Sequence, residues 1–321
     1  MREMNVKHEA FDTSAPPPVP ISTWRGWIRN FRGKVSASIL PLVKYAARPY
    51  VGGETIDDAL CVAHRLAQEN LTSTLGFWDT ADCTGRQVAD AYLAAIEHLS
   101  ADGLDSYISM KPPALRFDSA LAIELAAASA AARVRLHCDS HGPNVADKSN
   151  AMLQAMLDKF GASRLGTTLP GRWSRSLGDA DWAIERGLSV RVVKGQWPDP
   201  DDPRRDMAAG FLEVIDRLAG RAPHVAVATN DLRLASEAIA RIRAAGTSCE
   251  LELLFGAPYK PLLRWARENG VRARIYVPFG EGFVPNAIGL LKQNPRLMWT
   301  IAKSRLIAVT GATTGTWRKN Q

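Results

Sequence analysis

Short apolar runs recur along the chain, each rich in β-branched or aromatic residues and most ending in polar or turn residues. They are LTSTLGFW (71–78), SYISMK (106–111), RVRLHCD (133–139), SRLGTTLP (163–170), SVRVVKG (189–195), HVAVATN (224–230), CELELLFG (249–256) and ARIYVPFG (273–280). Between them lie stretches whose apolar residues fall three and four apart, such as RQVADAYLAAIEHL, ALAIELAAASAAA, AMLQAMLDKF, DADWAIERG, MAAGFLEVIDRL and LRLASEAIARIRAAG. The runs predict strands and the stretches predict helices. A unit of roughly 30 residues that repeats in this way is a strand followed by a helix. Strands alternating with helices imply a parallel sheet, and eight of them point to a distorted (β/α)8 barrel of the TIM type. An open doubly wound sheet competes, but no glycine-rich phosphate-binding signature follows any strand.

In such barrels chemistry is done at the C-terminal ends of the strands. The polar residues there are Asp79, Lys111, His137 with Asp139 and His141, Arg172, Lys194 with Gln196 and Trp197, Asn230 with Asp231, and Tyr276 with Glu281. This mouth reads as cationic and aromatic. Arg191 lies deeper, flanked by Val190, Val192 and Val193. A buried guanidinium is costly unless paired. Two readings stay open for it: a salt bridge to Glu250 or Glu252, or a fixed cation facing something electron-rich. Lys111, followed by Pro112 and Pro113, either snorkels to solvent or pairs with a substrate carboxylate or cofactor atom. HCDSH (137–141) offers two histidines and an aspartate, but its spacing is no zinc signature. A metal-dependent hydrolase built on those three residues is kept as an alternative. A serine hydrolase lacks its GxSxG turn.

Charge changes the picture only at the ends. The net charge is +7 over 321 residues. Residues 1–50 hold 8 Lys/Arg against 3 Asp/Glu, and residues 282–321 hold 6 and none. The middle carries 26 basic and 30 acidic residues, so no nucleic-acid-binding face is expected. Residues 1–20 read as a disordered tail, 21–65 as a helical segment, 66–305 as the barrel and 306–321 as a basic tail. Within 24–48, Trp24, Trp27, Ile28 and Phe31 interleave with Arg25, Arg29, Arg32 and Lys34. That is a basic amphipathic helix, either packed on the body or touching an anionic membrane surface. No apolar run is long enough to span a bilayer, and the N-terminus lacks a signal-peptide core. Four scattered cysteines suit a reducing cytoplasm, so the expected location is cytoplasmic, peripheral to the membrane's inner face if 24–48 binds it.

The strand motifs, taken together and in order, resemble the proline dehydrogenase family. YVGGETIDDAL resembles the family's leading helix, and YISMK its second strand. VRVVKG resembles its flavin-contacting strand, and VAVATND the strand that usually ends Ala-Thr-His. ELELLFGAP and RARIYVPFGE resemble its last two strands. The resemblance implies an FAD-dependent oxidoreductase on a distorted barrel, which moves a hydride to flavin from the carbon beside a ring nitrogen. Electrons then pass on, commonly to a quinone at the membrane. Carried over by position, Arg191 lies at the reactive edge of the flavin and Lys111 near the substrate carboxylate, while Tyr276 walls the pocket. Lys194, Gly195, Gln196 and Trp197 complete the flavin strand, and Thr229, Asn230 and Asp231 run along the cofactor.

The departures fall on the substrate side. Where the family's final helix carries Tyr-x-x-Arg-Arg, this chain has Asn286, Gly289 and Leu290. Both carboxylate-clamping arginines are missing, a loss of several kcal/mol at about 1.5–3 for each hydrogen bond to a charged group. Gly76 stands at an expected Asp, His137 at the acidic position of the third strand, and Pro170 at a glutamine that holds flavin. Trp197 replaces a Tyr, and Asn230 the His of Ala-Thr-His. The expected substrate is therefore proline or, better, a proline-derived or other cyclic secondary amine with its acid masked. A barrel that keeps the fold and only binds a ligand is the rival from another class.

Overall fold

The computed structural model describes residues 50–283. The positions 24–48, Asn286, Gly289 and Leu290 lie outside them. The eight expected strands are all present: β1 (Thr72–Phe77), β2 (Ser106–Met110), β3 (Arg135–Cys138), β4 (Leu165–Pro170), β5 (Ser189–Val193), β6 (His224–Ala228), β7 (Ser248–Leu254) and β8 (Ala273–Phe279). Every neighbouring pair is parallel, and β8 pairs with β1, so the sheet closes into a barrel in sequence order. The (β/α)8 expectation holds.

Helix α1 (Ile56–Gln68) precedes β1. Its start is fixed by a capping box, in which Asp58 N donates to Thr55 Oγ1 and Thr55 N donates to Asp58 Oδ2. Its apolar face, with Ala59, Leu60, Val62, Ala63 and Leu66 buried, packs over the seam between β8 and β1. Just before it, Gly52 N donates to Pro278 O and Gly53 O accepts from Gly280 N. The described chain thus begins, as it ends, at the C-terminal face of the barrel.

The other helices follow their strands: α2 (Gly85–Ala101), α3 (Ser119–Ala132), α4 (Ala146–Phe160), α5 (Ser176–Glu185), α6 (Met207–Leu218) and α7 (Leu232–Ala244), then α8 (Lys260–Glu268). The sequence reading did not pick out α8. Its nine residues carry only Leu262, Leu263 and Ala266 as buried positions, too few to establish a helical period.

Alternation along each strand separates two interiors. Outward residues such as Val190, Val192, Val225, Val227, Leu251 and Leu253 join the apolar layer under the helices. Inward residues form a polar barrel core that includes Arg191, Arg274, Glu250, Glu252, Tyr107 and Ser109, all buried. Buried charges persist only when paired, and here they pair in two tiers. In the lower tier Arg274 Nε donates to Glu250 Oε1 at 2.7 Å and Nη1 donates to Ser73 O at 2.6 Å. Burial alone would raise the Glu250 carboxyl, but the Arg274 cation overrides it and holds the group well below the usual carboxylate range. Tyr107 joins the tiers: its ring lies 4.4 Å from the Arg274 guanidinium, and its hydroxyl donates to Glu252 Oε2 at 2.7 Å.

Candidate active site at the barrel mouth

The upper tier centres on Arg191, which is 2% exposed. Strand β5 points it across the barrel, where it meets residues of β2, β4, β7 and the end of β3. Nη1 donates to Glu252 Oε1 at 2.8 Å, and Nη2 donates to Ser109 Oγ at 2.7 Å and to Asp139 Oδ1. Nε donates to Thr168 Oγ1 at 3.2 Å. The salt bridge to Glu252 anticipated from the sequence is present, and Asp139 adds a second. Burial works against the guanidinium, but the two carboxylates outweigh it and raise its pKa further. The planar fork is held rigid with nearly all its N–H groups used.

Tyr276 closes one side. Its ring centroid lies 5.4 Å from the Arg191 guanidinium, and its hydroxyl donates to Asp139 Oδ2 at 3.1 Å. Gly76 makes this possible. A Cβ built there would overlap the Tyr276 hydroxyl and sit 2.6 Å from its Cζ. The glycine where the resemblance expects an acid thus makes room for the tyrosine. Asp139, which the sequence reading placed only in the strand-end and metal sets, proves to be a central partner. Its signal was the end of β3, one residue beyond Cys138.

Lys111 reaches inward. Its Nζ donates to Phe77 O at 2.9 Å and lies 5.2 Å from the Trp78 ring, which leaves two ammonium hydrogens for a ligand. Burial lowers its pKa to about 8, against support from Asp79 and Asp139. Because this value lies below the ordinary 10.5, the folded protein binds fewer protons than the unfolded chain between about pH 8 and 10.5. The residue's contribution to stability therefore rises with pH across that window. Its grip on an anion runs the other way: binding of a carboxylate ligand should weaken as pH rises through about 8. Titrating ligand affinity from pH 6.5 to 9.5 should show that step in wild type and not in Lys111→Met.

The remaining sequence-predicted residues divide. Trp197 stacks near His141, ring centroids 5.7 Å apart, and burial pulls the His141 imidazole down to about 4. Lys194 and Asp231 pair with each other at 3.2 Å on the rim, where Asp231 also caps α7 by accepting from Arg233 N and Leu234 N. Gly195, at φ +99°, lets the turn after β5 touch the turn after β4. A Cβ there would lie 2.9 Å from Pro170 Cβ and 3.0 Å from Arg172 Cβ. Gln196 accepts at its carbonyl from Arg172 Nη1, Thr229 Oγ1 accepts from Asp231 N, and Asn230 is exposed on the same rim. Pro170 ends β4, and its carbonyl accepts from Ser176 Oγ and Trp173 N.

His137 is not with this group. Its ring lies beside Tyr107 and lines a small cavity in the lower half of the barrel with Gly166, His224 and Glu250. Gly166 leaves space for it, since a Cβ there would sit 2.7 Å from His137 Cε1. The metal reading has no geometry: His137 faces that cavity, Asp139 faces Arg191, and His141 stacks on Trp197. Among the described residues no group of three His, Cys, Asp or Glu is placed to hold a metal ion. The mouth is also less cationic than its sequence suggested. Arg191 and Lys111 share it with Asp139, Glu252 and Asp79.

A closed (β/α)8 barrel with a preorganised strand-end charge cluster defines the class of protein. Comparisons narrow it. No protein-family model matches the chain. It is 26% identical over 270 residues to proline dehydrogenase 1 of Bacillus subtilis subsp. natto, covering 78% of this chain and 88% of that one. It is 24% identical over 273 residues to proline dehydrogenase of Deinococcus radiodurans, covering 78% and 86%. Among solved structures, proline utilization A from Bdellovibrio bacteriovorus inactivated by N-propargylglycine matches with a TM-score of 0.68 at 17% identity, over 78% of this chain. Proline utilization A from Corynebacterium freiburgense matches with 0.65 at 14%, over 89%. The chain spans about a third of those two larger proteins, 32% and 34%, and the likeness to them is one of fold. The chain is thus similar to proline dehydrogenases, at 24–26% identity over 78% of its length.

Proposed function

We propose that this protein is an FAD-dependent dehydrogenase that oxidises a cyclic secondary amine to an imine, preferring a proline derivative whose carboxylate is masked to free proline. The observation that carries the reading is Arg191: a buried, rigid guanidinium at the mouth, with nearly all its N–H groups engaged by the protein and so without a free fork to grip a substrate acid. Its place is to set the electrostatics at the reactive edge of a flavin.

The donor set suits that cofactor. Arg172 Nε and His141 Nε2 are buried at the mouth with no partner, and Lys194, Gln196, Thr229 and Asn230 lie along the adjoining rim. Bound there, FAD supplies the hydride acceptor. The protein's own residues do the rest. Arg191 and Tyr276 shape the floor and one wall, with Asp139 holding both. Lys111 offers the free donors nearest the substrate, and Trp78 and Trp197 give apolar walls that exclude water. Within the family's final-helix motif, Gly289 and Leu290 supply no hydrogen bond to a carboxylate. The electron acceptor is a quinone or another carrier, reached by way of the basic 24–48 segment if that segment docks on a membrane.

The test is the purified protein's visible spectrum, followed by anaerobic flavin reduction with L-proline, proline methyl ester and uncharged cyclic amines. A yellow protein reduced faster by the capped or uncharged amines is expected. A colourless protein would point to the ligand-binding rival. Reduction by free proline at sub-millimolar concentration would overturn the substrate assignment.

A further inference from the structure

Below the mouth two acidic side chains, Asp139 and Glu252, share the single Arg191 guanidinium. Glu252 uses both oxygens as acceptors, Oε1 from Arg191 Nη1 at 2.8 Å and Oε2 from the Tyr107 hydroxyl at 2.7 Å. Asp139 does the same, Oδ1 from Arg191 Nη2 and Oδ2 from the Tyr276 hydroxyl at 3.1 Å. Each acidic side chain is held between the one guanidinium and a phenol. Two negative charges face one positive charge.

We infer that Asp139 and Glu252 act as paired counter-charges that over-neutralise Arg191, so that the guanidinium presents a rigid plate without net positive charge to the flavin. The inference rests on the flavin reading above. Positive charge at the reactive edge would favour the electron-rich reduced cofactor, and a cluster of net charge −1 disfavours it. Lys111 does not restore the balance, because Asp79 stands near it. The reduced flavin is thus left a strong donor, poised to pass its electrons on instead of accumulating. Glu252 makes this contribution from the tier beneath the mouth, where it touches no substrate. It is a positioning and charge-setting residue.

The experiment compares two-electron midpoint potentials of flavin-containing wild type, Glu252→Gln, Glu252→Asp and Asp139→Asn, by equilibration with reference dyes. Glu252→Gln keeps the shape and can accept from Arg191 at its amide oxygen, with the Tyr107 hydroxyl turning to accept from its NH2, while removing one negative charge. It should make reduction at least tenfold more favourable, a rise of about 30 mV or more for a two-electron couple. Glu252→Asp keeps the charge and should stay closer to wild type. Asp139→Asn removes the other counter-charge and should move the potential in the same direction, so the idea remains testable if the glutamine variant fails to accumulate. Unchanged potentials in both amide variants, with flavin still bound, would overturn the inference and leave the flavin reading standing. Wild type without flavin would overturn both.

Discussion

Replacing Arg191 by methionine should lower folding stability by about 3–5 kcal/mol, the usual cost of leaving a buried charge without its partner. Glu252 is 3% exposed and shares the guanidinium with Asp139, so both acids would be left in the barrel interior with only phenols to hold them. The loss is coupled. In the double variant Arg191→Met/Glu252→Gln one of the stranded charges is gone, and a good part of the stability should return. Chemical denaturation of the single and double variants measures this directly. If the two single changes simply add, the residues are not acting as a charge cluster. Any flavin still bound to Arg191→Met should be about a hundredfold slower to reduce, because two bare carboxylates then stand where the electrons must arrive.

Gly76→Ala should have nearly as large an effect on activity with a smaller one on stability. The added methyl would overlap the Tyr276 hydroxyl and crowd its ring, so the tyrosine must swing out and release Asp139. Overpacking of this kind costs about 1–3 kcal/mol. The consequence for the site is greater: one wall moves, and the second anchor of Asp139 is lost. Removing the ring should remove the clash. In a Tyr276→Leu background the same alanine should change flavin reduction little, and a double-mutant cycle on that rate would show the coupling. Equal effects in both backgrounds would mean that Gly76 matters for some other reason.

Both expectations come from side chains that the linear sequence presents as unrelated. Arg191 could be read as remarkable, because an arginine between valines violates the pattern of a buried strand. Of its two open explanations the salt bridge to Glu252 is present, and it leaves room for the other, a cation for a bound group, which the proposed function carries. Glu252 holds one edge of the guanidinium while the site lies above. Gly76 looked like a lost acid and is a steric allowance for Tyr276. His137 looked like part of the substrate pocket because it stands at the acidic position of the family's third strand. One residue, Cys138, separates it from Asp139, and the two face the same interior at different depths, so His137 lines the lower cavity.

What the sequence determined by itself was local and periodic. The spacing of apolar residues repeats within each strand and helix, so all eight strands and most of the described helices could be placed, and their alternation required a parallel barrel. The family resemblance came from short motifs at strand ends, where residue type and backbone position are tied together. The charge balance of the mouth was decided only by tertiary structure. Arg191 meets Ser109, Asp139 and Glu252, which lie 82, 52 and 61 residues away along the chain. Such partners are brought together by barrel closure and strand register, which set the depth of every inward side chain. No local pattern encodes that depth, because alternation says which side a residue faces and not which residue of a distant strand it will meet.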